Sequence, residues 1–102
     1  MKQHAFTMKL KPGYEEEYKR RHDEIWPELE QLLAESGIRK YLIYLDEETG
    51  TLFAYQELED EHQDVSSNPV VQKWWKYMKD IMDTNPDNSP VEKPLKKVFQ
   101  LK

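Results

Sequence analysis

Tyr18 and His22 stand four residues apart in the run Tyr18-Lys-Arg-Arg-His22-Asp-Glu-Ile-Trp-Pro, the spacing that stacks two side chains on one face of a helix. At 100° per residue from Tyr18, the apolar Tyr14, Ile25, Leu29, Leu32 and Leu33 fall within about 60° and His22 within about 40°. Imidazole, with an unperturbed pKa of about 6.5, gives or takes a proton near neutrality, so its place on an apolar stripe points to acid/base work in a pocket. On pattern alone the same place also suits a hydrogen-bonded core histidine.

Other chemistries lack their residues. His4, His22 and His62 have no metal-ligand spacing, and Gly13, Gly37 and Gly50 are too dispersed to cradle a phosphate. Ser36, Ser66, Ser67 and Ser89 sit in turn or cap contexts without a nucleophile motif. No metal or nucleotide is therefore expected. What remains is one acid/base group with the amphipathic aromatics Tyr18, Tyr41, Trp74 and Trp75, a set that suits carbohydrate. A sugar ring packs its C–H groups on aromatic faces while its hydroxyls need hydrogen bonds. These aromatics also fit plain packing. Trp74 and Trp75 recur at helical spacing with Val71 and Met78, and Tyr41 has strand propensity. Adjacent tryptophans on a helix point about 100° apart, so one can enter a core while the other lines a cleft or an interface.

The chain that must position these residues has 102 residues, room for a single domain (1–102) that buries about 60–70% of its unfolded surface. Lys+Arg 15 against Asp+Glu 20 leaves a formal charge of -5 with the basic residues scattered, which argues against nucleic acid. No run approaches the roughly 18 apolar residues of a membrane span, and the N-terminal residues lack a secretory apolar run. A soluble, cytoplasmic protein is the expectation, and the lack of cysteine agrees with a reducing compartment.

Residues 4–10 alternate Phe6, Met8 and Leu10 as a strand would, and Lys11-Pro12-Gly13 is a turn. The stripe over 14–35 predicts one helix, kinked at Pro27 and ended by Ser36-Gly37. Within it, Lys19-Arg20-Arg21 reads as a solvated face, and Glu15-Glu16-Glu17 favours the N-terminal dipole. Residues 38–45 and 51–58 flank Asp46–Gly50 as a hairpin. Its first strand puts Tyr41, Ile43 and Leu45 on one face and Ile38, Leu42 and Tyr44 on the other, so both faces want cover. Asp60–Gln63 predicts a capping box and short helical turn, and Asn68-Pro69 the start of a helix running to Asn85-Pro86. Lys97–Leu101 offers a last strand. The order β-α-β-β-α-β predicts an α+β, ferredoxin-like fold, an antiparallel four-stranded sheet with two helices on one face. Apolar residues on both sheet faces predict a homodimer in which the open faces meet, a dimeric α+β barrel.

Several uncommon words in order carry a resemblance: Lys11-Pro12, then Glu16-Glu-Tyr-Lys-Arg-Arg-His22 with Ile25-Trp-Pro-Glu-Leu29. Tyr41-Leu-Ile-Tyr-Leu-Asp46, Trp74-Trp-Lys-Tyr-Met78 and Asn85-Pro-Asp-Asn-Ser-Pro90 follow. Over nearly its whole length the chain resembles the L-rhamnose mutarotase family. The resemblance implies an isomerase of rhamnose metabolism, a homodimer of ferredoxin-like subunits that interconverts the α and β anomers of L-rhamnose without metal or organic cofactor. It also implies His22 as proton donor and Tyr18, Tyr41, Trp74 and Trp75 as sugar-binding residues. The complementary base stays open among a tyrosine, a water and a carboxylate such as Asp87. Two other readings share the scaffold: a different enzyme, such as a cofactor-free oxygenase or isomerase, and a non-catalytic sugar-binding dimer.

Overall fold

A computed structural model describes residues 1–101. The elements in chain order are β1 (Lys2–Lys9), α1 (Glu15–Asp23), α2 (Pro27–Glu35), β2 (Ile38–Asp46), β3 (Thr51–Leu58), α3 (Pro69–Met78) and β4 (Lys93–Pro94). The four strands form one antiparallel sheet in the order β2-β3-β1-β4, the ferredoxin-like arrangement. Among the described residues, no helix is long and apolar enough to cross a membrane.

Strand register shows which residues share a face. Met8 faces Leu52, which faces Leu45; Phe6 faces Ala54 and then Ile43; His4 faces Gln56 and then Tyr41. Phe6, Met8, Leu52 and Ala54 are buried in one cluster with Tyr18 of α1 and Met78 of α3, so this face carries the helices. The alternate residues Leu42, Tyr44 and Phe53 lie on the opposite, uncovered face and are exposed. A bulge between Ile38 and Lys40 shifts the pairing by one residue. It returns Ile38 to the Tyr41 side, correcting its expected place beside Leu42 and Tyr44.

The expected single helix over 14–35 is two. Trp26, just before Pro27, is extended at φ -59° and ψ 130°, and Pro27 opens α2. Proline crowds the preceding residue out of helical geometry, so the chain breaks and re-enters rather than kinking.

α3 starts where expected: the Asn68 side chain accepts from the Val70 amide at 2.9 Å, and Pro69 follows it. It ends at Met78, short of the expected Asn85-Pro86. Residues beyond it bond to the end of β1 instead: Lys11 N–H donates to Ile81 at 2.8 Å, Asp83 N–H donates to Lys9 at 3.0 Å, and Leu10 bridges Met82. Ile81 and Met82 are still buried, because an extended segment against β1 reaches the same core.

Asp60–Gln63 forms no helix. The amides of Glu59 and Gln63 donate to the carbonyls of Gly37 and Ser36 at 2.9 and 2.8 Å. That contact needs glycine, since a Cβ on Gly37 would lie 2.9 Å from the His62 Cβ. The hairpin turns at 47–50, closed by Gly50 at φ +73°.

The last strand is Lys93–Pro94 rather than Lys97–Leu101; it pairs with Thr7 and Phe6 at the sheet edge. An edge tolerates the donor that proline lacks.

Candidate active site

Helix α1 turns Tyr18 and His22 toward the sheet, and the four-residue spacing stacks their rings at 4.2 Å between centroids and 27° between planes. Tyr18 is 7% exposed. His22 Nδ1 donates to the Tyr18 carbonyl oxygen at 3.0 Å. A carbonyl only accepts, so the proton sits on Nδ1 and the lone pair of the neutral ring is on Nε2. Burial holds the His22 pKa below its usual 6.5, outweighing the carbonyl contact and the Asp23 charge that favour the cation. The ring is therefore neutral at pH 7, a proton acceptor at Nε2.

One further ring contacts it, and two more pack behind that ring. Trp74 of α3 meets His22 edge-on at 5.4 Å and 86°. Trp26, in the break before Pro27, meets Trp74 edge-on at 5.1 Å and stacks on Tyr77 at 5.7 Å. The extended pre-proline backbone thus sets the indole against two rings of α3.

Tyr41 enters from β2. Although 38% of its surface is open, loss of water around its hydroxyl pushes its pKa up to about 12, helped by the Glu92 charge and opposed by the Gln56 side chain. Burial, and secondarily Tyr41, also raises the Tyr18 phenol. Both phenols stay protonated at neutral pH and can donate.

Tyr18, His22, Tyr41, Trp74 and Trp75 all line one half-open cavity of about 870 Å³ between the helices and the sheet. Among the described residues, no three His, Asp or Glu side chains are grouped to hold a metal ion. Asp87 does not line the cavity. Its carboxylate is exposed and accepts from the Ser89 amide at 3.0 Å and the Ser89 hydroxyl, contacts that hold its pKa down. These bonds tie the loop together. The carboxylate with cavity contact and a raised pKa is Glu92, partly desolvated at the mouth.

Arg21 corrects the solvated reading of Lys19-Arg20-Arg21, being only 8% exposed. Its Nε donates to Glu17 at 2.7 Å, and Nη1 to the Tyr77 carbonyl at 2.8 Å and Asp80 at 2.9 Å. Nη2 completes the fork on Asp80 at 3.2 Å, and the guanidinium lies 4.4 Å from the Tyr77 ring centroid. Arg21 thus bolts α1 to the C-terminal end of α3, beside the His22–Trp74 contact. The sequence held a signal: at 100° per residue Arg21 lies about 60° from Tyr18, on the stripe's edge, with Glu17 four residues before it.

A ferredoxin-like α+β subunit with a neutral histidine, protonated phenols and indoles around one cavity belongs to a class suited to acid/base work on a small polyhydroxy ligand. Over residues 3–101 the chain matches the family model described as L-rhamnose mutarotase. A curated relative of that name from Flavobacterium johnsoniae is 60% identical over 99 residues, covering 95% of this chain and 92% of the relative. Another from Bacteroides thetaiotaomicron is 56% identical over 103 residues, covering 99% of each. The crystal structure of L-rhamnose mutarotase from Formosa agariphila superposes with a TM-score of 0.94 at 50% identity, covering 100% of both chains. The chain belongs to the L-rhamnose mutarotase family, whose members are isomerases that interconvert sugar anomers.

Proposed function

We propose that this chain interconverts the α and β anomers of L-rhamnose by opening and reclosing the pyranose, with His22 moving the proton. The observation that carries the mechanism is the His22 Nδ1 bond to the Tyr18 carbonyl at 3.0 Å, which presents a basic Nε2. Nε2 takes the proton of the anomeric hydroxyl as C1=O1 forms and the C1–O5 bond breaks. The resulting imidazolium donates to the departing ring oxygen, giving the open aldehyde and a neutral histidine. Rotation about C1–C2 presents the other carbonyl face, and the reverse transfers close the ring. His22 is thus the proton donor to the ring oxygen because it has first been the acceptor. O1 and O5 share one carbon, so a single nitrogen can serve both.

The Tyr18 and Tyr41 phenols donate to sugar oxygens, and Trp74 and Trp75 offer faces to ring C–H groups. Polar tips on this scale favour a hydroxylated ligand over the flat aromatic substrate of an oxygenase. Saturation-transfer NMR on L-rhamnose tests the reading: catalytic amounts of protein should accelerate anomer exchange well above the buffer rate. Binding without acceleration would leave a sugar-binding module instead.

The assembly proposed with it is a homodimer closed through the uncovered sheet face, where Leu42, Tyr44 and Phe53 are exposed and Tyr44 pairs with Phe53 across two strands. A flat apolar sheet face is costly to leave in water. Leu42→Asp should convert a particle of twice the 12.3 kDa chain mass into one of 12.3 kDa in sedimentation. An unchanged mass would place the interface elsewhere.

A further inference from the structure

The Asn85–Pro90 loop takes no part in the proton transfer above, yet it is tied more closely than a connection needs. Thr84 bridges Pro90, Asn85 N–H donates to the Ser89 carbonyl at 2.7 Å, and Val91 N–H donates to that of Asp83 at 3.1 Å. The Asn85 side chain donates to Ser89 Oγ at 3.1 Å and to the Pro90 carbonyl at 3.3 Å, and Asp87 accepts from the Ser89 amide at 3.0 Å. Together these bonds hold Asn88 at φ +73°, the one non-glycine residue at positive φ among the described residues. That conformation crowds a Cβ, and asparagine tolerates it better than most residues. Such positions gather at ligand contacts.

Asn88 also lines the cavity that holds Tyr18, His22 and Tyr41. The loop is carried there because Asp83 N–H donates to Lys9 and Met82 bridges Leu10 at the end of β1. Met8 lies at that end in a row with Leu52 and Leu45, two rows along the floor from Tyr41, Gln56 and His4. Thr84 and Glu47 line the cavity too, and the β1–β4 register, Phe6 with Pro94 and Thr7 with Lys93, sets Glu92 opposite Met8. Asn88 is half-buried, and none of the bonds that tie the loop uses its carboxamide. Among the described residues no buried side-chain polar atom lacks a partner, so this unbonded carboxamide is one that water or a ligand can reach.

We propose that Asn88 is a sugar-binding residue whose carboxamide holds two neighbouring hydroxyls among those on C2, C3 and C4 of the pyranose. This rests on the mutarotase reading above and adds a residue to its site. A vicinal diol presents one hydroxyl as donor and the next as acceptor, and a carboxamide answers with Oδ1 and Nδ2 in one plane. The protonated phenols of Tyr18 and Tyr41 give the sugar donors; Asn88 adds an acceptor beside a donor. The hydroxyls it holds are not the reacting O1 and O5, so the contact is made in substrate and transition state alike and acts on binding rather than on the chemical step.

Asn88→Gly separates this role from a purely structural one. Glycine adopts positive φ without strain, so a residue kept only for its backbone would be replaced at no loss, whereas the sugar contact would be gone. KM for L-rhamnose, read from anomer exchange by NMR, should rise about 5–30-fold, the size of one or two lost neutral hydrogen bonds, with a much smaller change in kcat. Wild-type protein gives a second readout that needs no folded variant. On titration with L-rhamnose the Asn88 side-chain amide resonances should shift, while those of Asn85, already bonded to Ser89 and Pro90, should move far less. A wild-type KM in Asn88→Gly, or Asn88 resonances that stay in place at saturating L-rhamnose, overturns the assignment. Protein that binds L-rhamnose and moves those resonances without exchanging anomers strikes the mutarotase reading instead and leaves the Asn88 contact standing.

Discussion

His22→Ala is expected to slow anomer exchange of L-rhamnose by about 10²–10⁴-fold, the usual worth of a positioned acid/base group, while KM moves much less. The gap between the two follows from the division of labour around the cavity. In the mechanism proposed, Tyr18, Tyr41, Trp74 and Trp75 would still offer donors and faces to the sugar, while the imidazole that moves the anomeric proton is gone. His22→Gln keeps a hydrogen-bonding side chain of similar reach and should be as slow, which separates proton transfer from lost packing. The pH profile carries a second signature. Burial holds the His22 pKa below 6.5, so Nε2 keeps its lone pair at pH 6.5, and the acid limb of kcat/KM should have its midpoint below that value. The sign for stability is the same. A folded pKa lower than the unfolded one means that the unfolded chain binds more protons, so stability is full above pH 6.5 and drains as pH falls toward the folded value. In His22→Gln both the limb and that slope should vanish. Retained exchange in either variant would remove His22 from the mechanism.

Arg21→Met is expected to cost about 2–3 kcal/mol of folding stability, lowering Tm by roughly 10–20 °C. The guanidinium is 8% exposed and satisfies Glu17, Asp80 and the Tyr77 carbonyl at once. Its loss leaves the carbonyl and the two carboxylates without their shared donor. The figure sits below the full cost of breaking a buried pair because the Asp80 side chain is 62% exposed and water can replace part of the contact. Arg20 is the internal control. It makes ion pairs at 2.7 Å to Glu17 and Glu24 but is 54% exposed, so Arg20→Met should leave the melting temperature nearly unchanged. Calorimetry on the two variants distinguishes them directly. Equal melting temperatures would mean that burial does not decide the worth of these pairs.

The two arginines show how far a linear pattern reaches. Neighbours of identical type, with acidic residues at the same helical spacings, differ because one faces α3 and the other faces solvent. Helical phase placed Arg21 at the stripe's edge, yet only the contact with Tyr77 and Asp80, more than fifty residues away, makes it a bolt between helices. Trp26 has the same history: the proline after it was readable as a perturbation, but not that the perturbed backbone would wedge the indole against Trp74. Asp87 differs in the opposite direction, a carboxylate in a suggestive motif that the structure places outside the cavity lining, with its Oδ1 bonded to Ser89.

By itself, the sequence determined what depends on local periodicity and turn chemistry. Period-two alternation marked the β1 and hairpin strands, Asn68-Pro69 marked the start of α3, and the four-residue step put Tyr18 beneath His22. These are properties of a few consecutive residues and their preferred dihedral angles. Tertiary structure decided where elements stop and what they meet. α3 ends at Met78 because residues 81–83 bond to the end of β1, the Ile38 bulge arises from pairing with β3, and the role of each arginine depends on a partner helix. Likewise the one-step spacing of Tyr18 and His22 was local, but the neutral state of the imidazole is not. It comes from desolvation by side chains that chain folding alone brings around it, since the cost of charging a ring depends on everything within several ångströms and not on its neighbours in sequence.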